Sequence, residues 1–333
     1  MTNLTSAHPR QVLLGAQAGA VALPVCDHYS GVELRMRKSL ALQADMLAEL
    51  GACVFDVTLD CEDGAPVGGE AEHAAMVVEM ALAADERARV AVRVHPVDHP
   101  AFFNDMATIA AQAGHRLCHI MVPKVESVRD VNLVEKALLH ASAGHLPLHV
   151  LIESPAAVHR AFEIAAHPRV QSLSFGLMDF VSAHGGAIPA DGMGAAGQFA
   201  HPLVVRAKLE ISAACHAQGK VPSHCVVTEF NDAAAMRAAA HKAAREFAYT
   251  RMWSIHPNQI RPILDAFAPT EAEIETALGI ITKAQEAEWA PISVAGVLHD
   301  RASYRYYWQV LERAFRTGRV LPAEAQAYFS ATD

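Results

Sequence analysis

Two carboxylates carry the strongest chemical signal in the chain. Glu153 follows the apolar run Leu148-His149-Val150-Leu151-Ile152, and Asp179 follows the run from Val170 to Phe175. Each run has the length of a strand. Between them, Ser154-Pro155-Ala156-Ala157-Val158 starts a helix, with serine at the cap and proline just inside it. Such a strand–helix–strand unit sets its strands parallel and close together, so both acids emerge at one C-terminal sheet edge. Two carboxylates held there suit a hard divalent cation such as Mg2+, which takes one or two carboxylates and keeps water or substrate oxygens elsewhere. The alternative is that both acids merely cap or open the helices that follow them.

The elements that must position these acids repeat along the chain. Strands are expected at 21–25, 53–59, 89–94, 117–122, 148–152, 170–175, 221–228 and 251–255. Helical periods lie between them, at 33–50, 69–84, 101–113, 128–141, after Ser154, at 199–217 and 232–247, with a last one at 258–267. The strands are short and apolar at nearly every position, as where both faces are buried. Asp56 and Thr58 interrupt the second. The alternation predicts an α/β chain whose residues 1–268 form a closed (β/α)8 TIM barrel. Residues 269–333 read as a C-terminal helical extension, with helices at 270–289, 304–317 and 322–329, packed on a neighbouring subunit. Residues 1–19 are small and polar and read as partly disordered.

Composition narrows the function. The chain has 333 residues, 52% of them hydrophobic, and a net charge of −9. The negative balance argues against nucleic acid, whose binding is driven by lysine and arginine neutralising phosphates. No run approaches the 18 apolar residues of a membrane span and no signal pattern opens the chain, so a soluble, cytoplasmic protein is expected. The six cysteines contain no C-x-x-C and read as reduced thiols. Nineteen histidines invite zinc, but there is no H-E-x-x-H and six of them precede proline in loops and at helix starts. Gly192-Met193-Gly194-Ala195-Ala196-Gly197 matches G-x-G-x-x-G without directly following a strand, which argues for a mobile lid over 184–199 rather than a dinucleotide site. No G-x-S-x-G elbow supports a serine hydrolase.

In a barrel of this kind the chemistry gathers where the strands end. Those ends carry Asp27 and His28, Glu62 and Asp63, Arg93, Lys124, Glu153, Asp179, His224 and His256. Arg93 has the donor fork to bind a substrate carboxylate, and Lys124 can add charge or tune a neighbour. Each could instead be consumed in an internal ion pair with Glu62, Asp63 or Glu126.

In this order the residues resemble the citrate lyase β subunit and malyl-CoA/citramalyl-CoA lyase family of the HpcH/HpaI aldolase superfamily. The resemblance spans about Cys53 to Asp300. It rests on Leu59-Asp60-Cys61-Glu62-Asp63-Gly64, Val92-Arg93-Val94, Pro123-Lys124-Val125-Glu126, Leu151-Ile152-Glu153, Gly176-Leu177-Met178-Asp179 and, most specifically, Ser254-Ile255-His256-Pro257-Asn258-Gln259-Ile260. The 26-residue separation of Glu153 and Asp179 is also similar. The family departs here at His95, at Ser223-His224-Cys225, at Met252 and in the amino-terminal segment.

The resemblance implies a Mg2+-dependent carbon–carbon lyase acting on a 2-oxo or 2-hydroxy acid and an acyl thioester. Glu153 and Asp179 would ligate Mg2+. Arg93, with Glu62 and Asp63, would face a small 2-oxo acid of the oxaloacetate, pyruvate or glyoxylate class, with Lys124 beside them. Val297-Leu298-His299-Asp300 resembles the segment that an adjoining subunit contributes in related lyases, which makes Asp300 the general acid/base; its alternative is a helix cap. The implied partners are acyl-CoA or an acyl carrier protein, and further copies of the chain in a trimer or hexamer. An aldolase on free hydroxy-oxo acids without coenzyme A, and a carrier-dependent or non-catalytic subunit of a larger complex, stay open as alternatives.

Overall fold

The computed structural model describes residues 8–15, 18 and 22–329. Eight parallel strands close into a barrel: β1 Cys26–Ser30, β2 Phe55–Asp60, β3 Val90–Arg93, β4 Leu117–Val122, β5 Leu148–Ile152, β6 Val170–Phe175, β7 Val221–His224 and β8 Arg251–Ser254. β1 pairs with β2 on one side and with β8 on the other, Cys26 lying opposite both Phe55 and Met252, which completes the ring. β4, β5 and β6 run as their apolar runs predict.

Alternation along the strands sorts the barrel interior into layers. At the N-terminal end, Asp27, Asp56, His119, His149 and Arg251 meet through hydrogen bonds, an ion-pair network and ring contact. In the middle, Met121, Leu151, Val226 and Trp253 form an apolar cluster against Tyr29 and Met178. At the C-terminal end stand Asp60, Arg93 and Glu153. The polar residues that interrupt β2 are therefore its inward face: all six of its residues are buried.

Several helix starts follow from their caps. Ser127 and Asp130 form a capping box for Val128–His140, Ser154 with Pro155 opens Pro155–His159, and Asp232 caps Ala233–Arg245 through the amides of Ala234 and Ala235.

Several elements differ from the sequence reading. β1 is not 21–25, of which Val21 lies outside the described residues, but the polar Cys26–Ser30; Pro24 has no amide to give a ladder, and its carbonyl accepts from Arg251 Nη1. The strand predicted at 221–228 ends at His224. The helix predicted from 199 begins at Pro202, behind a 3-10 turn at Gly197–Phe199. The link 290–300 holds a hairpin, β9 Ile292–Val294 and β10 Val297–His299, turned by Ala295 and Gly296, both at positive φ. That turn type favours Asn-Gly, so Ala-Gly gave little signal.

Contacts divide the chain into two compact units, the barrel unit of Pro24–Glu49 and Cys53–Ala266, and a second unit drawn from 1–23, 50–52 and 267–333. The second unit is helical, built on Glu271–Glu286 and Arg301–Arg316, with Trp308 and Tyr304 fully buried in its core. A helix absent from the sequence reading, Pro9–Leu14, joins this core through Leu13. No helix among the described residues is long and apolar enough to cross a membrane.

Candidate active site

Glu153 stands one residue past β5 and is buried, with Oε1 2.5 Å from the backbone amide of Lys124. Lys124 holds a left-handed φ of 53°, which aims that amide at the carboxylate. Gly176, just past β6, presses against the Glu153 side chain so closely that any Cβ would collide with it. Asp179 sits in the first turn of Leu177–Ser182, half-buried. Both acids line one cavity of about 190 Å3, together with Tyr29, Arg93, Leu151, Met178, Val226 and Trp253.

The electrostatics of the pair are unbalanced. Burial, and then the negative charge of Asp179, push the Glu153 carboxyl up to about 8. The nearby cations do not offset this, because they are engaged elsewhere. Arg93 grips Asp60 with Nε at 2.7 Å and Nη2 at 2.5 Å, places Nη1 3.1 Å from Glu62, and lies over the Tyr29 ring at 5.0 Å. Lys124 Nζ is 2.5 Å from Glu62 and 3.4 Å from Asp63. Burial alone would lower the Lys124 ammonium, but the bond to Glu62 outweighs it and holds the group above its usual range. Around the mouth, two cations face the five carboxylates of Asp60, Glu62, Asp63, Glu153 and Asp179.

The residues singled out in the sequence thus fall into two sets. Glu153, Asp179, Asp63 and Arg93 share the cavity. Glu62 pairs with Arg93 and Lys124, and Asp63 also pairs with Lys124, the alternative weighed for those cations. Asp300 caps the helix Arg301–Arg316, accepting from the amides of Ala302 at 2.9 Å and Ser303 at 3.3 Å, with its carboxylate exposed. Tyr29, Trp253 and Val226 were not singled out. For Tyr29 and Trp253 the available signal was their strand positions, in step with the inward Asp27 and Arg251; Val226 lies just past the end of β7.

A second cluster of ligand-type groups lies at the other end of the barrel, where Asp27, His119 and His149 converge, as do Asp56, Cys118 and His119. Histidines four apart occur at 95/99, 115/119 and 145/149 in the sequence, yet none of these pairs shares a helix; His119 and His149 come from neighbouring strands and stack at 3.5 Å. Stacked rings keep their in-plane lone pairs nearly parallel, which opposes ligation of one ion by both. The carboxylates there are already taken by Arg251 and Arg89. The mouth is where an added hard cation has carboxylates left to bind, and an all-oxygen donor pair suits Mg2+.

A beside-the-mouth cavity of about 680 Å3 shares Tyr29 and Gly64 with the acid pair. It is lined by His28, Arg35 and Lys38, and by the stacked rings of Phe230 and His256, 5.0 Å apart.

Residues 39–257 match the HpcH/HpaI aldolase/citrate lyase family model. A crystal structure of a citrate lyase from Burkholderia xenovorans LB400 is 48% identical, covers 97% of this chain and 99% of its own, and superposes with a TM-score of 0.78. An L-malyl-CoA/β-methylmalyl-CoA lyase of Cereibacter sphaeroides is 30% identical over 73% of this chain and 81% of its own length. The protein CitE of Mycobacterium tuberculosis, solved with magnesium, acetoacetate and coenzyme A, has the same fold at 20% identity, with a TM-score of 0.65 over 88% of this chain and 98% of that one.

Proposed function

The chain belongs to the HpcH/HpaI aldolase/citrate lyase family and is a carbon–carbon lyase of that family; we propose that it uses Mg2+, held by Glu153 and Asp179, to cleave or form the bond between a small 2-oxo acid and an acyl thioester. The observation that carries this reading is the unpaired acid pair: a buried carboxyl raised to about 8 beside a second carboxylate, with both local cations engaged by other acids. A divalent cation bound between them would favour the ionised form of Glu153 and, as a Lewis acid, would polarise the oxygens of the 2-oxo acid.

The chain's own residues supply the rest. Arg93 is held by Asp60 and lines the cavity, and its guanidinium would take a substrate carboxylate or carbonyl oxygen there. Leu151, Met178, Val226 and Trp253 wall the site against water, which strengthens those charge contacts. Lys124 fixes Glu153 through its backbone, so its side chain is assigned a supporting role toward Glu62. Asp300, from a neighbouring copy in a trimer or hexamer, is proposed as the general acid/base, on the resemblance of its segment.

The adjoining cavity favours a thioester over a free hydroxy-oxo acid. Arg35 and Lys38 offer cations to phosphates and the Phe230–His256 stack offers a face to a base, features that suit coenzyme A. The substrate pair is therefore assigned to the class named for the Cereibacter relative, malyl- or methylmalyl-type thioesters. Six free cysteines accord with a reducing, cytoplasmic setting.

The deciding experiment combines calorimetry and turnover. Mg2+ should bind the wild type and fail to bind Glu153→Gln, and malyl- or citramalyl-type thioesters should be cleaved only by the former. Mg2+ binding that survives in both Glu153→Gln and Asp179→Asn would overturn the site. Binding of pyruvate with Mg2+, but not of coenzyme A or acetyl-CoA, would replace the thioester reading with the free-acid aldolase.

A further inference from the structure

Lys208 is the one described lysine buried without any exposed surface, and among the described residues it forms no ion pair with a carboxylate. It projects from the helix Pro202–Ala217. Its Nζ lies 2.7 Å from Gln198 Oε1 and 2.8 Å from His224 Nε2, and 3.8 Å from the centroid of the Phe199 ring. His224 Nδ1 is 3.0 Å from the Cys225 carbonyl, which fixes the ring proton on Nδ1 and leaves the Nε2 lone pair facing the ammonium. Phe199 in turn stacks on His224. Three neutral groups thus surround one cation: an amide oxygen, an imidazole nitrogen and an aromatic face.

These groups come from different segments. Gln198 and Phe199 end the connection between the Asp179-bearing helix Leu177–Ser182 and the helix Pro202–Ala217, whereas His224 ends β7. Gln198 also reaches the Val226 carbonyl with Nε2 at 3.4 Å and accepts from Cys225 Sγ at 3.1 Å. Val226 is a wall of the acid-pair cavity. The same connection is tied down once more where Glu229 accepts from the Ala195 amide at 2.8 Å.

We propose that Lys208 is a positioning residue for the lyase site: its ammonium clamps the segment after Asp179 to the end of β7 and so sets the Val226 wall and the placement of the Asp179 helix. A buried ammonium opposed by no anion costs stability that a methionine of similar volume would not. Its presence is accounted for by what only a cation does here, donating to two acceptors at once while resting on a ring.

The clamp has a built-in pH limit. Burial lowers the Lys208 ammonium to about 8. The titratable and charged groups facing it are His224 and Cys225 on β7, Tyr249, whose hydroxyl donates to the Lys208 carbonyl, and Lys242 across the Phe199 ring. Burial drives His224 far down and Cys225 and Tyr249 up, so Lys208 is the member of that trio and itself that changes charge near pH 8. Because its folded value lies below the usual 10.5, the native state gains stability as pH rises from about 8 toward 10.5. Activity should move the opposite way over the same window, since the neutral amine no longer serves both acceptors and the ring.

The activity arm rests on the lyase reading above, so the test includes an arm that does not. In hydrogen exchange corrected for intrinsic rates, segment 183–201 of the wild type should lose protection as pH passes about 8, and Lys208→Met should show low, pH-independent protection. In turnover, wild-type kcat should fall over that limb while Lys208→Met sits about tenfold lower throughout, with KM little changed, no alkaline limb and an undiminished melting temperature. Gln198→Leu, which keeps the lysine, should reproduce the kcat loss and serves if Lys208→Met does not fold. Protection of 183–201 that ignores both pH and Lys208→Met would overturn the clamp even if no substrate is found. A pH-dependent segment with no lyase turnover would instead count against the function and leave the clamp standing.

Discussion

The two ends of the barrel handle buried charge in opposite ways. At the N-terminal end, Asp27 and Asp56 face Arg251 and Arg89: Arg251 Nη2 lies 2.6 Å from Asp56 and 3.0 Å from Asp27, Arg89 Nε lies 2.5 Å from Asp56, and Thr58 donates to Asp27 at 2.7 Å. Two acids meet two guanidinium groups, so the charges are matched, although at Asp27 burial outweighs Arg251 and raises the carboxyl. Burial works to raise Asp56, but Arg89 and Arg251 outweigh it and hold the carboxylate below its usual range. At the C-terminal end the cations are outnumbered, and Glu153 is raised to about 8. One end is a plug whose two acids are matched one for one by guanidinium groups of the same chain. The other is left incomplete, and an incomplete buried charge set marks a binding site rather than a structural one.

The largest expected effect tests that contrast at the mouth. Glu153→Gln should lower turnover by about a thousandfold or more, while the fold stays as stable or becomes more so, because a carboxylate without a protein cation is removed. The mirror substitution at the plug should do the reverse. Asp56→Asn leaves Arg251 and Arg89 buried without their shared anion and should cost about 3–5 kcal/mol in denaturant unfolding, with kcat of the surviving folded fraction near wild type. If Asp56→Asn proved as stable as wild type and Glu153→Gln unfolded, the assignment of roles to the two ends would be inverted.

A smaller effect comes from pH and the cation. The folded value of Glu153 lies above its usual 4.5, so in metal-free protein this group's contribution to stability is present below about 4.5 and is lost as pH rises to about 8. Adding Mg2+ at a hundredfold over its dissociation constant should restore about 2.7 kcal/mol, which thermal melts would register, most clearly toward pH 8. Glu153→Gln should remove both the pH slope and the Mg2+ response. A melting temperature equally raised by Mg2+ in that variant would assign the ion to another place in the molecule.

The sequence made the mouth readable and the plug opaque for the same reason. β4, β5 and β6 are apolar runs with both faces buried, and the acids that end β5 and β6 stand out against them. β1 was displaced because its inward face is Asp27 and Tyr29, which look like a loop unless the partners are known. Those partners are remote: Arg251 meets Asp56 across 195 positions of sequence, and no local period announces a pair that the barrel makes by closing. The fate of Arg93 and Lys124 was legible only as a choice between substrate contact and internal ion pair, since strand ends fix which residues are neighbours but not which bonds form. Lys208 gave no signal at all, being a helix lysine like any other until the fold buries it.

The smallest effect is also the one that separates those two readings of the mouth. Glu62 bridges Arg93 Nη1 at 3.1 Å and Lys124 Nζ at 2.5 Å, and it is nearly as buried as Arg93. In Glu62→Gln, Arg93 remains held by both oxygens of Asp60, so its position should survive. The mouth loses one negative charge, and the freed cations then act on whatever else binds. Mg2+ affinity should weaken by about two- to fivefold and the affinity for an anionic 2-oxo acid should tighten by a similar factor, opposite changes that calorimetry can resolve. If Glu62 instead touched the substrate, as its motif first suggested, both affinities would weaken together. A parallel loss would return Glu62 to the substrate and require Arg93 and Lys124 to be released from it on binding.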